Sequence, residues 1–341
     1  MADFQAEKQV VLAFYAALDA AEGTAIAESL ARFVAPEYLW RGPHPFHEQT
    51  GPKAVAELFW QPLHGALSPL QRRLDIFMAG RNALDGGRSL WVVSMGHLMG
   101  LFRRPWLGIP ATGKMAFLRY CAFHRVAAGK IHEEAMFFDI PQLMRQAGVN
   151  PFPPQTGAYV LPFGPQTHDG LMFAPQDPAQ GQLTLEAIER MVSDLRTWRS
   201  YETAPLIEEL RRSWCENMIW WGPTGIGSAY TIEGYARQHA GPFRATMGAR
   251  QFVGHIARIA EGAYGGFFGW PNLRLKPVGG FMGMPATGTT AEMRVIDIYR
   301  RHGSKLAENW VFIDLLHFWN QQGLDILARM AAHEDNALPN S

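Results

Sequence analysis

The sequence predicts an α+β protein built from two copies of one domain, each with helices packed on a strongly curved antiparallel sheet. Three observations carry this reading. The first is a repeat: Gly108-Ile109-Pro110-Ala111-Thr112-Gly113 recurs 175 residues later as Gly283-Met284-Pro285-Ala286-Thr287-Gly288. At the same offset Lys130, Glu133, Phe137, Asp139 and Gly148 meet Lys305, Glu308, Phe312, Asp314 and Gly323. Upstream, Trp40-Arg41-Gly42-Pro43 meets Trp220-Trp221-Gly222-Pro223. A period this long excludes a solenoid and marks a duplicated domain. The second is order within each half, where helical periodicity comes first and strand-like sequence follows. The third is length, since 341 residues suit about two domains.

In the first half Val10, Val11, Phe14, Tyr15 and Leu18 recur at helical spacing. In the second, Leu185, Ile188, Met191, Val192 and Leu195 do the same. Short helices follow at 24–33 and 203–214, and third helices at 52–60 and 231–239. Strands are expected at 72–78, 89–102, 115–126 and 130–138, then at 249–259, 263–274, 290–300 and 305–313. Each half closes with a short helix that Asp139 or Asp314 caps, because a carboxylate there accepts free backbone N–H groups. The domains are therefore expected at 1–150 and 183–332, with a linker at 151–182 and a tail at 333–341. The linker is rich in Pro and Gly, which block helix and central strand. Its Phe152, Tyr159, Phe163 and Phe173 suggest that it packs across a domain surface.

Composition narrows the class. Lys and Arg together (31) balance Asp and Glu (31), which argues against a broad nucleic-acid footprint. Hydrophobic residues make up 48% and charged residues 18%, enough for a large core and for apolar cavities. Cys121 and Cys215 cannot build a disulfide framework and are expected as buried thiols. The first residues do not look like a secretory signal, and no run approaches the ~18 apolar residues of a membrane span. The expectation is a cytoplasmic protein that binds neither nucleic acid nor membrane.

Several segments together resemble a known family. They are Gly96-His97-Leu98-Met99-Gly100, the two Gly-x-Pro-x-Thr-Gly elements, Thr50-Gly51-Pro52-Lys53-Ala54, Gly129-Lys130-Ile131, Ile296-Asp297-Ile298-Tyr299-Arg300 and Glu308-Asn309-Trp310. Both halves resemble the SnoaL-like polyketide cyclase (ester cyclase) family, within the superfamily of nuclear transport factor two. The resemblance implies cone-shaped domains, a pocket between helices and sheet, and cofactor-free chemistry. It also implies an acid/base Asp on the last strand. That position is occupied here by Met136 and Val311, which carry no proton. A second pocket position, a His in the family, falls on Ala122 and Asp297. Fold therefore transfers better than activity. Single-domain relatives commonly pair through their sheets, so the tandem chain is expected to form that pair internally as a pseudo-dimer. Further homo-oligomers are left open.

The candidate sites follow from strand alternation. If three-residue loops join the last two strands of each half, Asp297 faces Asn309 and Tyr299 faces Ala307. In the first half Ala122 then faces Glu134 and His124 faces His132. A carboxylate in an apolar pocket can act as a base near neutral pH, and an amide, a Tyr hydroxyl or a His can stabilise an enolate oxygen. One candidate catalytic set is therefore Asp297, Asn309 and Tyr299. The other is Glu134 with His132 and His97. Trp40, Trp220, Tyr120, His124, Met136 and Val311 are the candidate ligand contacts. The six histidines His44, His47, His64, His97, His124 and His132 contrast with the Asp297 and Asn309 set of the second half, so the pockets are expected to have diverged. His44 and His47 have no obvious third ligand nearby, and no metal is expected. The leading reading is a cofactor-independent cyclase, isomerase or lyase for a small, largely apolar carbonyl or ester compound. The alternatives are a carrier or sensor of a lipophilic molecule, and a scaffold with closed pockets.

Overall fold

The computed structural model describes residues 3–197 and 202–334. Helix α1 (Gln5–Asp19) buries Val11, Phe14, Tyr15 and Leu18 along one face, and α2 (Ala25–Phe33) buries Ile26 and Leu30. A longer rod, α3, runs from Pro52–Val55 through a π-helical turn, Ala56–Trp60, into Gln61–Ala66. These helices lie against strands β1 (Val34–Gly42), β2 (His47–Thr50), β3 (Gln71–Arg81), β4 (Leu90–Leu101), β5 (Met115–Ala127) and β6 (Lys130–Phe138), in the order β2-β1-β6-β5-β4-β3. Asp139 caps the closing helix α4 (Ile140–Gln146) by accepting from Gln142 N at 3.0 Å.

The second half repeats this plan. Helices α5 (Pro178–Thr197) and α6 (Thr203–Arg211) precede strand β7 (Trp214–Trp221) and the short β8 (Ala229–Tyr230). The rod α7 again contains a π turn: Thr231–Tyr235, Ala236–Ala240, Gly241–Ala245. Then come β9 (Met247–Phe252), β10 (Ala257–Glu261), β11 (Tyr264–Pro277), β12 (Ala291–His302) and β13 (Lys305–Ile313), closed by α8 (Leu315–Asn320) and α9 (Ile326–Glu334). The order is β10-β11-β12-β13-β7-β8, with β9 also on β11. Strand for strand the two sheets correspond, except that one edge strand, β3, is replaced by two, β9 and β10.

Four expectations are corrected. The sheets are mixed, because β1 runs parallel to β6 and β7 parallel to β13. Those partners lie at opposite ends of a domain, so no local pattern announces the pairing. The strand expected at 249–259 breaks between Phe252 and Ala257. Helix α5 starts at Pro178, inside the expected linker, since a proline's missing N–H costs little in a first helical turn. Cys121 is buried, but Cys215 is only partly so.

The two sheets pack back to back. Ile76, Met78, Val93, Cys121, Phe123 and Phe137 from one half meet Ile259, Phe268, Ile296, Ile298, Trp310 and Phe312 from the other in one apolar cluster. A pseudo-twofold relates the contacts around it. Asp139 Oδ2 accepts from Thr224 N at 2.9 Å, and Asp314, in the equivalent position, accepts from His44 N at 3.0 Å. Each aspartate thus caps its own helix and holds the other domain. Lys8 Nζ, buried in α1, donates to Glu261 Oε1 of β10 at 2.7 Å. The connector is held by backbone contacts and by its rings: Phe173 meets Phe77 at 5.7 Å, Phe163 meets Trp221 at 6.2 Å, the Arg145 guanidinium lies 3.8 Å from the Tyr159 centroid, and Phe152 packs against the core. Ala158 pairs with Ser228, Leu171 pairs with Phe77, and Trp310 Nε1 donates to Phe163 O at 2.8 Å. Tyr159, Phe163 and Phe173 each keep part of their surface exposed.

Candidate functional site

The hairpin between β12 and β13 decides which groups meet. Its loop has two residues, since His302 pairs with Lys305, and a bulge leaves Ala307 unpaired. Opposed pairs are therefore Asp297 with Val311 and Tyr299 with Asn309. This is two residues off the expected register. A two-residue shift keeps every side chain on its face, where a one-residue slip would have turned them out. Asp297, Tyr299, Asn309 and Val311 consequently all point into the cone.

Asn309 Nδ2 donates to Asp297 Oδ1 at 3.2 Å and to Ile298 O at 3.1 Å. The Tyr299 hydroxyl also donates to the Asp297 carboxylate. Burial raises the Asp297 pKa to about 7, because the charged form loses water there, and the two donors only partly offset this. Around it stand Trp214, Trp220, Tyr235 and His239, which line an inner chamber of about 130 Å³. His239 stacks on Trp220 with centroids 4.0 Å apart, and burial lowers its pKa to about 3, so it is neutral. Val311 lines the same chamber.

Asp297 also borders an outer cavity of about 650 Å³, lined by Val192, Leu195, Phe252, Val253, His255 and Phe267 among others. The break between β9 and β10 makes this opening. Val253 and His255 lie in the break itself, and Asn272 and Leu273 lie where β11 shifts register beside it. In the first half β3 runs unbroken through the equivalent wall. Arg196 and Arg250 stand at the rim, with the Arg196 guanidinium 4.2 Å from the Phe252 ring centroid. The chamber and the cavity share Leu195, Phe243, Leu273, Val295 and Asp297. A carboxylate able to take or give a proton near neutral pH thus faces an apolar space of ligand size.

The first cone is different. The hairpin here too has a two-residue loop and a bulge, at His132, so His124 pairs with Glu134 and Ala122 with Met136. The bulge turns His132 outward, where its Nδ1 lies 3.8 Å from Glu37 and its Nε2 3.2 Å from Ala127 O. His97 lies on the opposite face of the sheet, 3.2 Å from Asp75. Neither joins Glu134, so the expected set is split. What does surround Glu134 is a closed polar network. Tyr38 donates to it, His124 Nδ1 is 3.6 Å away, and Tyr15 bridges His124 Nε2 at 2.6 Å and Ser94 at 2.5 Å. Tyr120 lies 3.5 Å from Ser94. Burial lifts the Glu134 pKa to about 7 and lowers that of His124 to about 3, so His124 sits neutral in the interior and Glu134 titrates near neutral pH. Beside this network the cone is filled with rings. Phe59 stacks on Phe138 at 4.8 Å and on Trp40 at 5.1 Å, and Met136 is buried among the core residues. Trp40 is therefore core, whereas its counterpart Trp220 lines the chamber.

The Trp-x-Gly pattern itself has a steric origin. Residues two apart share a strand face, and the indole folds back over that glycine. A Cβ on Gly42 would lie 2.2 Å from Trp40, and one on Gly222 2.0 Å from Trp220. His239, Tyr235 and Trp214 were missed as site residues. They lie on the helical rod and on β7, and only the fold brings them to Asp297.

With this geometry in view, residues 11–134 match the family model described as a SnoaL-like domain. The match lies wholly within the first half. The second half repeats its sheet order and its candidate acid faces the same side of the sheet. Solved structures similar to the chain include TsrD from Streptomyces laurentii, at 21% identity over 43% of this chain and 98% of that one, with a TM-score of 0.35. They also include the putative polyketide cyclase IdmH from Streptomyces antibioticus, at 17% identity over 41% and 97%, with a TM-score of 0.34. A third is an NTF2-like protein from Burkholderia thailandensis, at 24% identity over 41% and 95%, with a TM-score of 0.30. No curated protein matches the sequence. Each of these structural matches covers 41–43% of this chain. No helix among the described residues is long and apolar enough to cross a membrane.

Proposed function

We propose that the second domain is a cofactor-independent acid/base enzyme of the cyclase, isomerase or lyase type, acting on a small, largely apolar carbonyl or ester compound. One observation carries the reading: Asp297 is a partly buried carboxylate with a pKa near 7, bordering an apolar cavity of about 650 Å³. In this reading Asp297 takes the proton next to the substrate carbonyl. The Tyr299 hydroxyl and the Asn309 amide hold the carboxylate in place. Tyr235 and neutral His239, in the same chamber, are donors for the oxygen on which charge develops. The aliphatic and aromatic lining receives the apolar body of the substrate. The first domain contributes structure, since its counterpart acid is enclosed by Tyr38, His124 and packed rings.

Proton abstraction can be read without knowing the product. A panel of small apolar ketones and esters is incubated with the protein in D₂O, and exchange at the α-carbon is followed by NMR. The expected result is exchange by the wild type, at least a hundredfold slower in Asp297→Asn and unaffected in Glu134→Gln. Equal exchange in wild type and Asp297→Asn overturns the assignment of the base. A molecule that binds in the cavity and is recovered without exchange or conversion favours a carrier instead, the reading to which Met136 and Val311 at the family's acid position point.

A further inference from the structure

Three imidazoles meet on one side of the domain interface. His44 and His47 flank the turn between β1 and β2, and His317 lies in the first turns of α8. One nitrogen of each lies within 4.8 Å of the others. His44 Nδ1 and His47 Nε2 are 3.2 Å apart, and the rings of His47 and His317 stand edge to face at 5.3 Å. Both ring nitrogens of His317 are buried and have no hydrogen-bond partner. Buried polar atoms are ordinarily paired, and such an exception asks for an explanation.

The pseudo-twofold shows that the fold itself does not require these histidines. The positions equivalent to His44, His47 and His317 are Thr224, Gly227 and Gln142. On that side the same turn and the same closing helix form without an imidazole, and the same aspartate contact is made. The cluster is thus an addition to one side of a duplicated architecture. Its chemistry is that of a ligand set: imidazole nitrogen suits zinc, copper and nickel, and partly buried, neutral rings present their lone pairs. Burial and the Arg294 guanidinium hold all three below the usual histidine pKa, His317 at about 3.

We propose that His44, His47 and His317 bind one divalent transition ion of the zinc class and so join the two domains, with a fourth position left for water. Metal–nitrogen bonds of about 2.0–2.1 Å require the three nitrogens to close in slightly on the ion. The surrounding charges are of both signs. Asp314, which accepts from His44 N, and Asp325, which acts on His44, favour a cation. Arg294 opposes it: its Nη1 lies 3.1 Å from His47 Nδ1 and 3.7 Å from Asp314 Oδ2. While Arg294 donates to Nδ1, the His47 proton sits on Nε2, facing His44. Binding through Nε2 moves that proton to Nδ1 and leaves Arg294 to Asp314 and to the Trp270 face, 3.7 Å from its centroid. The site is therefore exchangeable, without the permanence of a buried tetrathiolate.

The test uses the full chain, stripped with a chelator and titrated with Co²⁺ or Zn²⁺ alone. Wild type is expected to bind one equivalent, with a Co²⁺ ligand-field spectrum of imidazole nitrogens, and to gain thermal stability with Zn²⁺. His317→Gln installs the residue that the sister position already carries, so it is expected to fold. In it, and in His47→Ala, affinity is expected to fall at least tenfold and the zinc-dependent rise in Tm to vanish. His132→Gln, at a surface histidine, is expected to change neither. The proposal is overturned if wild type binds less than one equivalent, or if His317→Gln binds as tightly as wild type. The unliganded Tm of each variant distinguishes lost ligation from lost folding.

Discussion

At the scale of single residues, the decisive groups are carboxylates kept protonated by burial. Asp297 holds its proton to about pH 7, against 3.8 for an ordinary aspartate. Glu134 behaves alike at about 7, and Asp314 at about 6. Between about pH 4 and 7 each of these carboxylates binds more proton in the folded chain than in the unfolded one. By linkage, the stability each contributes falls as pH rises through that window, while the buried neutral His124 and His239 act in the opposite sense below the ordinary histidine pKa of about 6.5. For Asp297 alone the cost above pH 7 is on the order of a few kcal/mol. Denaturant unfolding should accordingly show Asp297→Asn to be more stable than wild type by about 2 kcal/mol at pH 8.5, and nearly equal to it at pH 4.5. A variant that is less stable at both values would show that the carboxylate is not strained by ionisation. Activity should run the other way. If ionised Asp297 is the base, kcat/KM climbs with pH through about 7, where stability is being lost. The sequence already pointed to Asp297, Tyr299 and Asn309, because alternation fixes a face even when the register is uncertain. It misplaced His97 and His132, since a strand face and a bulge are settled by partners far along the chain.

At the scale of elements, two local devices matter: one separates an open cone from a filled one, and both cones share the other. One is the broken edge: β9 and β10 stand where β3 is continuous, and the gap is the mouth of the cavity. The other is the Trp-x-Gly corner on the strand parallel to the last one. Gly222 leaves room for Trp220, and Gly42 for Trp40. Gly222→Ala would bring a Cβ to 2.0 Å from the Trp220 ring and 2.4 Å from Gly227 O, so the indole must move. The expected loss is about 1–3 kcal/mol of stability, together with a shifted Trp fluorescence and weaker ligand binding in the chamber. An unchanged Tm and spectrum would contradict this packing. The helices and most strands were legible from periodicity. The split of the edge strand was not, because Gln251 to Ile256 carries no turn signal stronger than Gly254, and the break is completed by the register shift in β11.

At the scale of the whole molecule, the two sheets share one core between them. The sheet faces that would be exposed in a lone domain bury Ile76, Phe123, Phe137, Phe268, Ile298 and Phe312 against one another. The buried Lys8–Glu261 pair ties the first helix to the far sheet. Lys8→Ala would leave Glu261 without its ammonium partner in the interior, at a cost of about 3–5 kcal/mol. Glu261 also accepts from Ala79 N at 2.7 Å, so the loss should register at both domains in one transition. Two separated transitions in calorimetry of the wild type would instead mean that the domains unfold independently.

By itself the sequence determined the duplication, the α+β class, the capping aspartates and the shared face of the polar residues on the last two strands. These rest on periodicity, on turn residues and on an internal repeat, all local or self-referential signals. Tertiary structure alone decided that the sheets are mixed, that the first cone is filled and the second open, and that His317 comes to His44 and His47. Each of those depends on groups from opposite ends of the chain meeting, and a linear pattern holds no record of which partners a folded core selects.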